Sequence, residues 1–495
     1  MQMNLVTFTP QICVMIQILQ KAFDPEDFRA NGHQLIDLLA DYLADATSGK
    51  PMPVLPHSQP DEMLGFWEAN FSNPHFDLQQ YFATLIRQSN HIHHPHYMGH
   101  QVVPPAPLAA LTELSEALLN NGMAIYEMGP ASTAIEKVII AWLAKRIGMD
   151  TTTEGVLTSG GSAGNLTGLL AARQACVGYN IWQEGNTENS KLAVMVSAEA
   201  HYSIARAVKI MGWGEKGIVP IPVTNALKAD ASLLQQTYDA ALTSGLNVIA
   251  IVGNACTTST GSYDPLLQLG EFARKNNLWF HVDGAHGGAA GLTEKYRHLT
   301  HGIEMADSVV IDFHKMLLAP ALTTAVLFRN GRHSYETFAQ KAEYLLGSGD
   351  QAPWYNSAGR ALECTKKMMG VKVYALIKHY GEELLSDYIT YCYDLGIAFG
   401  RIINLTDDFV TATEPQSNIV CFRYIPQSFT GNINEFTREI RRRLSEDQEF
   451  YVVQTQVRGE IYLRVTLMNP FTTEMHLNLL LNKIRTLAKS ILLSE

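Results

Sequence analysis

Trp279-Phe280-His281-Val282-Asp283 and Ser308-Val309-Val310-Ile311-Asp312 share one construction, a short and largely apolar run that ends in an acid. The first continues into Gly284-Ala285-His286-Gly287-Gly288 and the second into Phe313-His314-Lys315. Runs of this length, rich in β-branched residues, read as strands buried on both faces. Gly155-Val156-Leu157-Thr158, Leu192 to Val196 and Val248 to Val252 are of the same kind. Helical stretches such as Ala163 to Ala175 and Pro265 to Lys275 lie between most of them. The alternation predicts an α/β fold with a largely parallel sheet and helices on both faces. Ligands of such sheets sit at the carboxyl ends of the strands, where the acids and Lys315 fall.

Composition narrows the classes of function. The 495 residues include 37 basic and 48 acidic side chains, a formal charge of −11. That balance argues against nucleic acid or an anionic membrane as a partner. With 46% hydrophobic and 17% charged residues, the chain is expected to fold throughout. Its 6 cysteines form no CxxC pair, which points to a reducing compartment and away from a cysteine-ligated metal. Residues 1–22 read as an N-terminal extension: Leu5 to Leu19 is apolar, but Gln11 and Gln17 interrupt it and no small-residue cleavage motif follows. No membrane span is expected, and the cytoplasm is the expected location.

Towards the N-terminus, Asp24-Pro25-Glu26-Asp27 carries the signals of a helix start, followed by Phe28, Leu35, Leu39 and Tyr42 at helical spacing. Residues 49–60 are rich in proline and polar side chains and read as a loop. Towards the C-terminus, Ile419 to Tyr424, Tyr451 to Gln456 and Ile461 to Leu467 read as strands, with Val457-Arg458-Gly459 as a hairpin turn. The reading is a helical N-terminal segment (1–100), a large α/β domain (101–375) and a small C-terminal α/β domain (376–495).

Three groups at strand ends carry chemistry. Thr158-Ser159-Gly160-Gly161-Ser162-Ala163-Gly164-Asn165 leads from strand to helix, and a glycine-rich helix N-terminus offers N–H groups to a phosphate. Asp283 stands where small residues leave room for a flat ligand, and a buried carboxylate of this kind calls for a cationic partner. Lys315, desolvated after an apolar strand, is expected to have a lowered pKa and to act as an amine nucleophile toward an aldehyde. The cluster His91, His93, His94 and His96 makes a poor metal site, with adjacent ligands and no acid or cysteine nearby.

Phosphate cradle, carboxylate and amine in this order are the parts that hold pyridoxal phosphate. Here the chain resembles the group II pyridoxal-phosphate-dependent amino-acid decarboxylases, from about Phe23 to the C-terminal helix. Phe28-Arg29-Ala30-Asn31-Gly32, His94-Pro95-His96-Tyr97-Met98, Thr257-Thr258-Ser259-Thr260-Gly261, His281-Val282-Asp283 and Asp312-Phe313-His314-Lys315 carry the likeness. It implies a fold type I enzyme with a mostly parallel seven-stranded sheet, acting as a homodimer. It further implies Lys315 as the Schiff-base lysine, Asp283 at the pyridine nitrogen and His201 stacked on the cofactor ring. Gly161, Ser162 and His314 would contact the phosphate, and Thr257 and Ala285 would pack around the ring. Tyr344, in a segment followed by Gly347-Ser348-Gly349-Asp350, matches the tyrosine implicated in protonating Cα.

The departures are Cys256, where relatives commonly have glycine, and Asp312, where some have asparagine near the phosphate. For the substrate, His100, Gln101 and Tyr126 match contact positions, and Lys366 matches the arginine that holds a carboxylate in glutamate-type enzymes. The implied activity is decarboxylation of an L-amino acid to the amine and CO₂. A polar aliphatic substrate of the diaminobutyrate or glutamate type is expected. Aromatic-amino-acid decarboxylation and oxygen-consuming aldehyde synthesis are the alternatives within the family, and a catalytically silent homologue would not need both Lys315 and Asp283.

Overall fold

The computed structural model describes residues 10–187, 191–338, 354–427 and 429–493. Two compact units divide the chain, one of residues 1–97 and 445–451, the other of residues 98–444 and 452–495. Among the described residues no helix is long and apolar enough to cross a membrane.

The first unit is built from helices Pro10–Ala22, Pro25–Thr47, Pro60–Ser72 and Leu78–Gln88. Asp24 caps the second of these as its sequence position predicts, its Oδ1 accepting from the N–H groups of Glu26 at 2.8 Å and Asp27 at 3.4 Å. Within this unit the Tyr42 ring lies 5.4 Å from that of His91, and His96 stacks on Phe450 at 3.9 Å. These two histidines are held by ring packing. Phe28 and Leu39 remain exposed on the second helix, and Phe23 in the turn before it.

The second unit holds two sheets. Strands β1 (Glu154–Thr158), β2 (Leu192–Ser197), β3 (Ile218–Ile221), β4 (Asn247–Asn254), β5 (Trp279–Asp283), β6 (Ser308–Asp312) and β7 (Thr324–Phe328) form a seven-stranded sheet in the order β1-β7-β6-β5-β4-β2-β3. β3, β2, β4, β5 and β6 run parallel, and β7 lies antiparallel between β6 and β1. Every residue of β2, β5, β6 and β7 is buried, as their continuous apolar sequences require. Two of these strands escape a reading based on strand–helix alternation. β3 is a four-residue edge strand that contains Pro220, tolerated there because an edge leaves one side unpaired. β7 follows only a one-turn helix, Phe313–Met316, so nothing helical announces it.

A second, four-stranded antiparallel sheet has the order β10-β11-β9-β8, with β8 (Phe409–Thr411), β9 (Ile419–Tyr424), β10 (Val453–Val457) and β11 (Glu460–Thr466). Helices Glu383–Asn404 and Glu474–Leu492 pack together, the first of them against β8 and β9. The hairpin between β10 and β11 turns on Arg458 and Gly459, both at positive φ (51° and 81°). Two such residues make the two-residue turn whose twist matches the flanking strands.

Candidate active site

Five strands of the large sheet end on one edge, and the segments leaving them enclose a cavity of about 280 Å³, near the lower end for small-molecule sites. β1 delivers Ser159, Gly160, Gly161 and Ser162. β2 delivers His201 and Ser203, β4 delivers Cys256 and Thr258, β5 delivers Asp283, Ala285 and His286, and β6 delivers Asp312, His314 and Lys315. Asn165, on helix Gly161–Cys176, completes the polar lining.

Lys315 Nζ lies 3.0 Å from Asp312 Oδ2, and both side chains are sheltered. Burial alone pushes the ammonium pKa down, but the carboxylates of Asp312 and Asp283 outweigh it, and the net shift is upward. This corrects the expectation of a lowered lysine pKa, because that reading left out the acid three residues earlier. Asp312 is itself held by the Thr324 hydroxyl, which donates to Oδ1 at 2.5 Å, and His314 Nε2 stands 3.6 Å from Oδ2.

Within the chain, Asp283 is held by neutral donors. Asn165 Nδ2 donates to its Oδ2 at 2.9 Å and the Ala285 N–H to its Oδ1 at 3.2 Å. His201 caps helix Tyr202–Ile210, its Nδ1 accepting from the Ser203 N–H at 3.3 Å and meeting the Ser203 hydroxyl at 2.8 Å. Burial lowers the His201 pKa, although the Asp283 charge opposes this. Cys256 lies on the wall as a neutral thiol, since burial drives its pKa up to about 12. His286 is neutral as well, its pKa carried down to about 3 by burial, with Nε2 2.9 Å from Asn418 Oδ1.

The residues present fit pyridoxal phosphate. The first-turn N–H groups of helix Gly161–Cys176 have no intrahelical acceptor and open on the cavity. Gly161 fits closely there: a Cβ would stand 3.0 and 3.2 Å from the Asp312 carboxylate oxygens, which would have to give way by a few tenths of an ångström. An amine, a carboxylate and an anion cradle thus line one cavity.

Other expected contacts fall elsewhere. Thr257 is buried but does not line the cavity: its hydroxyl bonds Thr260 Oγ1 at 3.0 Å and the Ser262 N–H at 3.1 Å, inside its own turn, and its neighbours Cys256 and Thr258 face the cavity. Lys366 is locked to Glu136 Oε1 at 2.5 Å and the Leu157 carbonyl at 2.8 Å. Both partners of that ion pair are almost fully buried. Withdrawing one member of such a pair costs about 3–5 kcal/mol, so Lys366 is not available to a substrate carboxylate. His100, Gln101 and Tyr126 are also absent from the cavity wall. The Tyr126 N–H donates to Asn356 Oδ1 at 3.2 Å. The charges of Arg464 and Arg441 add to partial burial in lowering the His100 pKa, and Arg464 donates to the Thr258 carbonyl at 2.9 Å. Tyr344 lies outside the described residues. Sequence reasoning missed Asn165, Ser203 and His286 as wall residues; for His286 a signal existed, its place three residues after Asp283 in a glycine-rich turn.

Comparison with known proteins agrees with this geometry. Residues 74–425 match the pyridoxal-dependent decarboxylase conserved domain. The chain is 28% identical over 429 residues to an L-2,4-diaminobutyrate decarboxylase of Acinetobacter baumannii, covering 84% of each chain. It is 27% identical to an aromatic-L-amino-acid decarboxylase of Bacillus atrophaeus, covering 95% of this chain and 97% of the relative. The crystal structure of the glutamate decarboxylase domain of a diaminobutyrate-pyruvate transaminase and L-2,4-diaminobutyrate decarboxylase from Vibrio parahaemolyticus superposes with a TM-score of 0.82 at 23% identity, covering 94% of this chain and 95% of that one. A domain match over most of the chain and a cavity with an amine, a carboxylate and an anion cradle lead to one conclusion: the chain belongs to the pyridoxal-dependent decarboxylases and is a carboxy-lyase that works on amino acids with pyridoxal phosphate.

Proposed function

We propose that the substrate is a polar aliphatic L-amino acid and that Lys315, Asp283, His201, Gly161, Ser162, Ala285 and His314 form the working site. The observation that carries the substrate class is the lining itself: among the described residues, no Phe, Tyr or Trp borders the cavity, whose wall is mainly Ser, Thr, Asn, Asp and His. An aromatic substrate would find no aromatic partner on such a wall.

Bound pyridoxal phosphate supplies an electron sink for the bond that breaks at Cα. The chain's residues do the rest. Lys315 would hold the cofactor through its side-chain amine. Asp283 holds a proton at the ring nitrogen by its negative charge, which favours electron flow toward the ring. Gly161 and Ser162 bind the phosphate through backbone N–H groups, and His201, fixed by Ser203, gives the ring a flat surface. The wall would select decarboxylation by orienting the bond to the substrate carboxylate.

A panel of aspartate, glutamate, diaminobutyrate, ornithine, tyrosine and tryptophan tests the substrate class, with CO₂, amine and hydrogen peroxide measured together. The expected result is the highest kcat/KM for an aliphatic substrate, with amine and CO₂ formed in equal amounts and no peroxide. Faster turnover of tyrosine or tryptophan overturns the substrate reading, and stoichiometric peroxide would make the enzyme an aldehyde synthase.

The same proposal includes a homodimer. Leu111, Leu114, Leu118 and Leu119 on helix Pro107–Leu119 of the second unit are all exposed, an apolar face of the kind that a second copy covers. Light scattering at assay concentration should give twice the chain mass; an active monomer contradicts it.

A further inference from the structure

Beneath the cavity a single file of hydrogen bonds joins two strands and a helix. Trp279 Nε1 donates to Ser308 Oγ at 2.8 Å, Ser308 Oγ lies 2.7 Å from His281 Nδ1, and His281 Nε2 lies 3.0 Å from Asn165 Oδ1. Asn165 Nδ2 then donates to Asp283 Oδ2 and to Ser203 Oγ, both at 2.9 Å. From Ser203 the file reaches His201 Nδ1 at 2.8 Å. Trp279, Ser308, His281, Asn165 and Ser203 are all at most 3% exposed, so water does not compete for these bonds. Gly168 makes the file possible. A Cβ there would stand 2.6 Å from His281 Cε1 and 2.8 Å from Nδ1, so only glycine lets the helix pass over the imidazole.

The chemistry of the two ends gives the file a direction. An indole N–H can only donate and an ionised carboxylate can only accept. Asp283 therefore requires the Asn165 amide nitrogen, which leaves Asn165 Oδ1 facing His281 and puts a proton on Nε2. Burial holds the His281 pKa down to about 4, so Nδ1 is bare and must accept from Ser308, which in turn accepts from Trp279. Asn165 thus divides its two amide hydrogens between Asp283 and Ser203. Ser203 donates to His201 Nδ1 through its hydroxyl and its backbone N–H, which leaves the His201 proton on Nε2.

We infer that Asn165 is a positioning residue that orients the Asp283 carboxylate and the Ser203 hydroxyl, with the Trp279–Ser308–His281 file fixing the amide so that it cannot turn over. The inference rests on the assignment of Asp283 to the cofactor's ring nitrogen. It adds that the strength of that pairing is set from deeper along the same face of the sheet.

The test combines ¹⁵N-histidine NMR with the dissociation constant of pyridoxal phosphate. In the cofactor-stripped wild type, His281 and His201 should each carry one proton, on Nε2. Asn165→Leu removes a hydrogen bond to a charged acceptor and should weaken cofactor binding by roughly 10–100-fold, with His281 no longer in a single tautomer. Trp279→Phe keeps an apolar ring and touches neither Asp283 nor the cavity. It should likewise mix the His281 tautomers, and weaken binding by about three- to tenfold. A proton on His281 Nδ1 in the wild type overturns the inference. So does a folded Trp279→Phe protein with wild-type tautomer and affinity, which decides the matter even if Asn165→Leu does not fold. The tautomers are read without cofactor and so report on the file alone. Asp283→Asn with unchanged cofactor affinity and rate would instead overturn the ring-nitrogen assignment.

Discussion

Lys315→Ala should lower amine formation by roughly 10⁴–10⁶-fold, the scale of loss when an enzyme's covalent nucleophile is removed. The side chain is the amine of a one-turn helix, Phe313–Met316, that leaves β6 at the cavity, and alanine is fully compatible with that turn. The fold should survive. Asp312 would lose its cation at 3.0 Å but keep the Thr324 hydroxyl. Borohydride reduction and peptide mapping check the role directly. The wild type should carry the pyridoxyl label on Lys315 and the variant should carry none. A label on another lysine, or turnover within tenfold of wild type, would sink the assignment.

Asp283→Asn should cost roughly 10²–10³-fold in turnover, the range for removing one preorganised electrostatic group. The substitution is nearly isosteric, and its carbonyl can still accept from the Ala285 N–H. Its amide, however, would face the Asn165 Nδ2 that now donates to Asp283 at 2.9 Å, placing donor against donor. Asn165 cannot rotate to help, because His281 holds its oxygen. A stability loss of about 1–3 kcal/mol therefore accompanies the catalytic loss, and a denaturant midpoint measured beside kcat separates the two. Turnover within threefold of wild type would show that the carboxylate is not needed at the ring.

The strands that bear chemistry were readable because each ends in a polar residue after a largely apolar run, and both acids and Lys315 lie at such ends. What could not be read depends on partners distant in sequence. Asn165 looks like one more polar residue in a helix, and its importance emerges only where Gly168 admits His281 beneath that helix. Lys366 aligned with a substrate-binding arginine, yet its partner is Glu136, on a helix far earlier in the chain. Thr257 and Thr258 are indistinguishable by composition, and the local turn, closed on Thr260 and Ser262, decides which one faces inward. Reading strands by their alternation with helices also passed over β7, which has no crossover helix of ordinary length before it.

That strand orders events during synthesis. β1 has no neighbour in the sheet except β7, and their register pairs Glu154 with Phe328, 328 − 154 = 174 residues later in the chain. At roughly 5–20 residues per second, β1 leaves the ribosome roughly 9–35 s before its partner exists. Throughout that interval its backbone groups are an open edge of the kind that pairs with other chains. The glycine-rich turn that follows β1 and the Lys315 turn that follows β6 belong to strands joined through β7. Capture of the cofactor is therefore expected as a late step, one that reports that the sheet has closed.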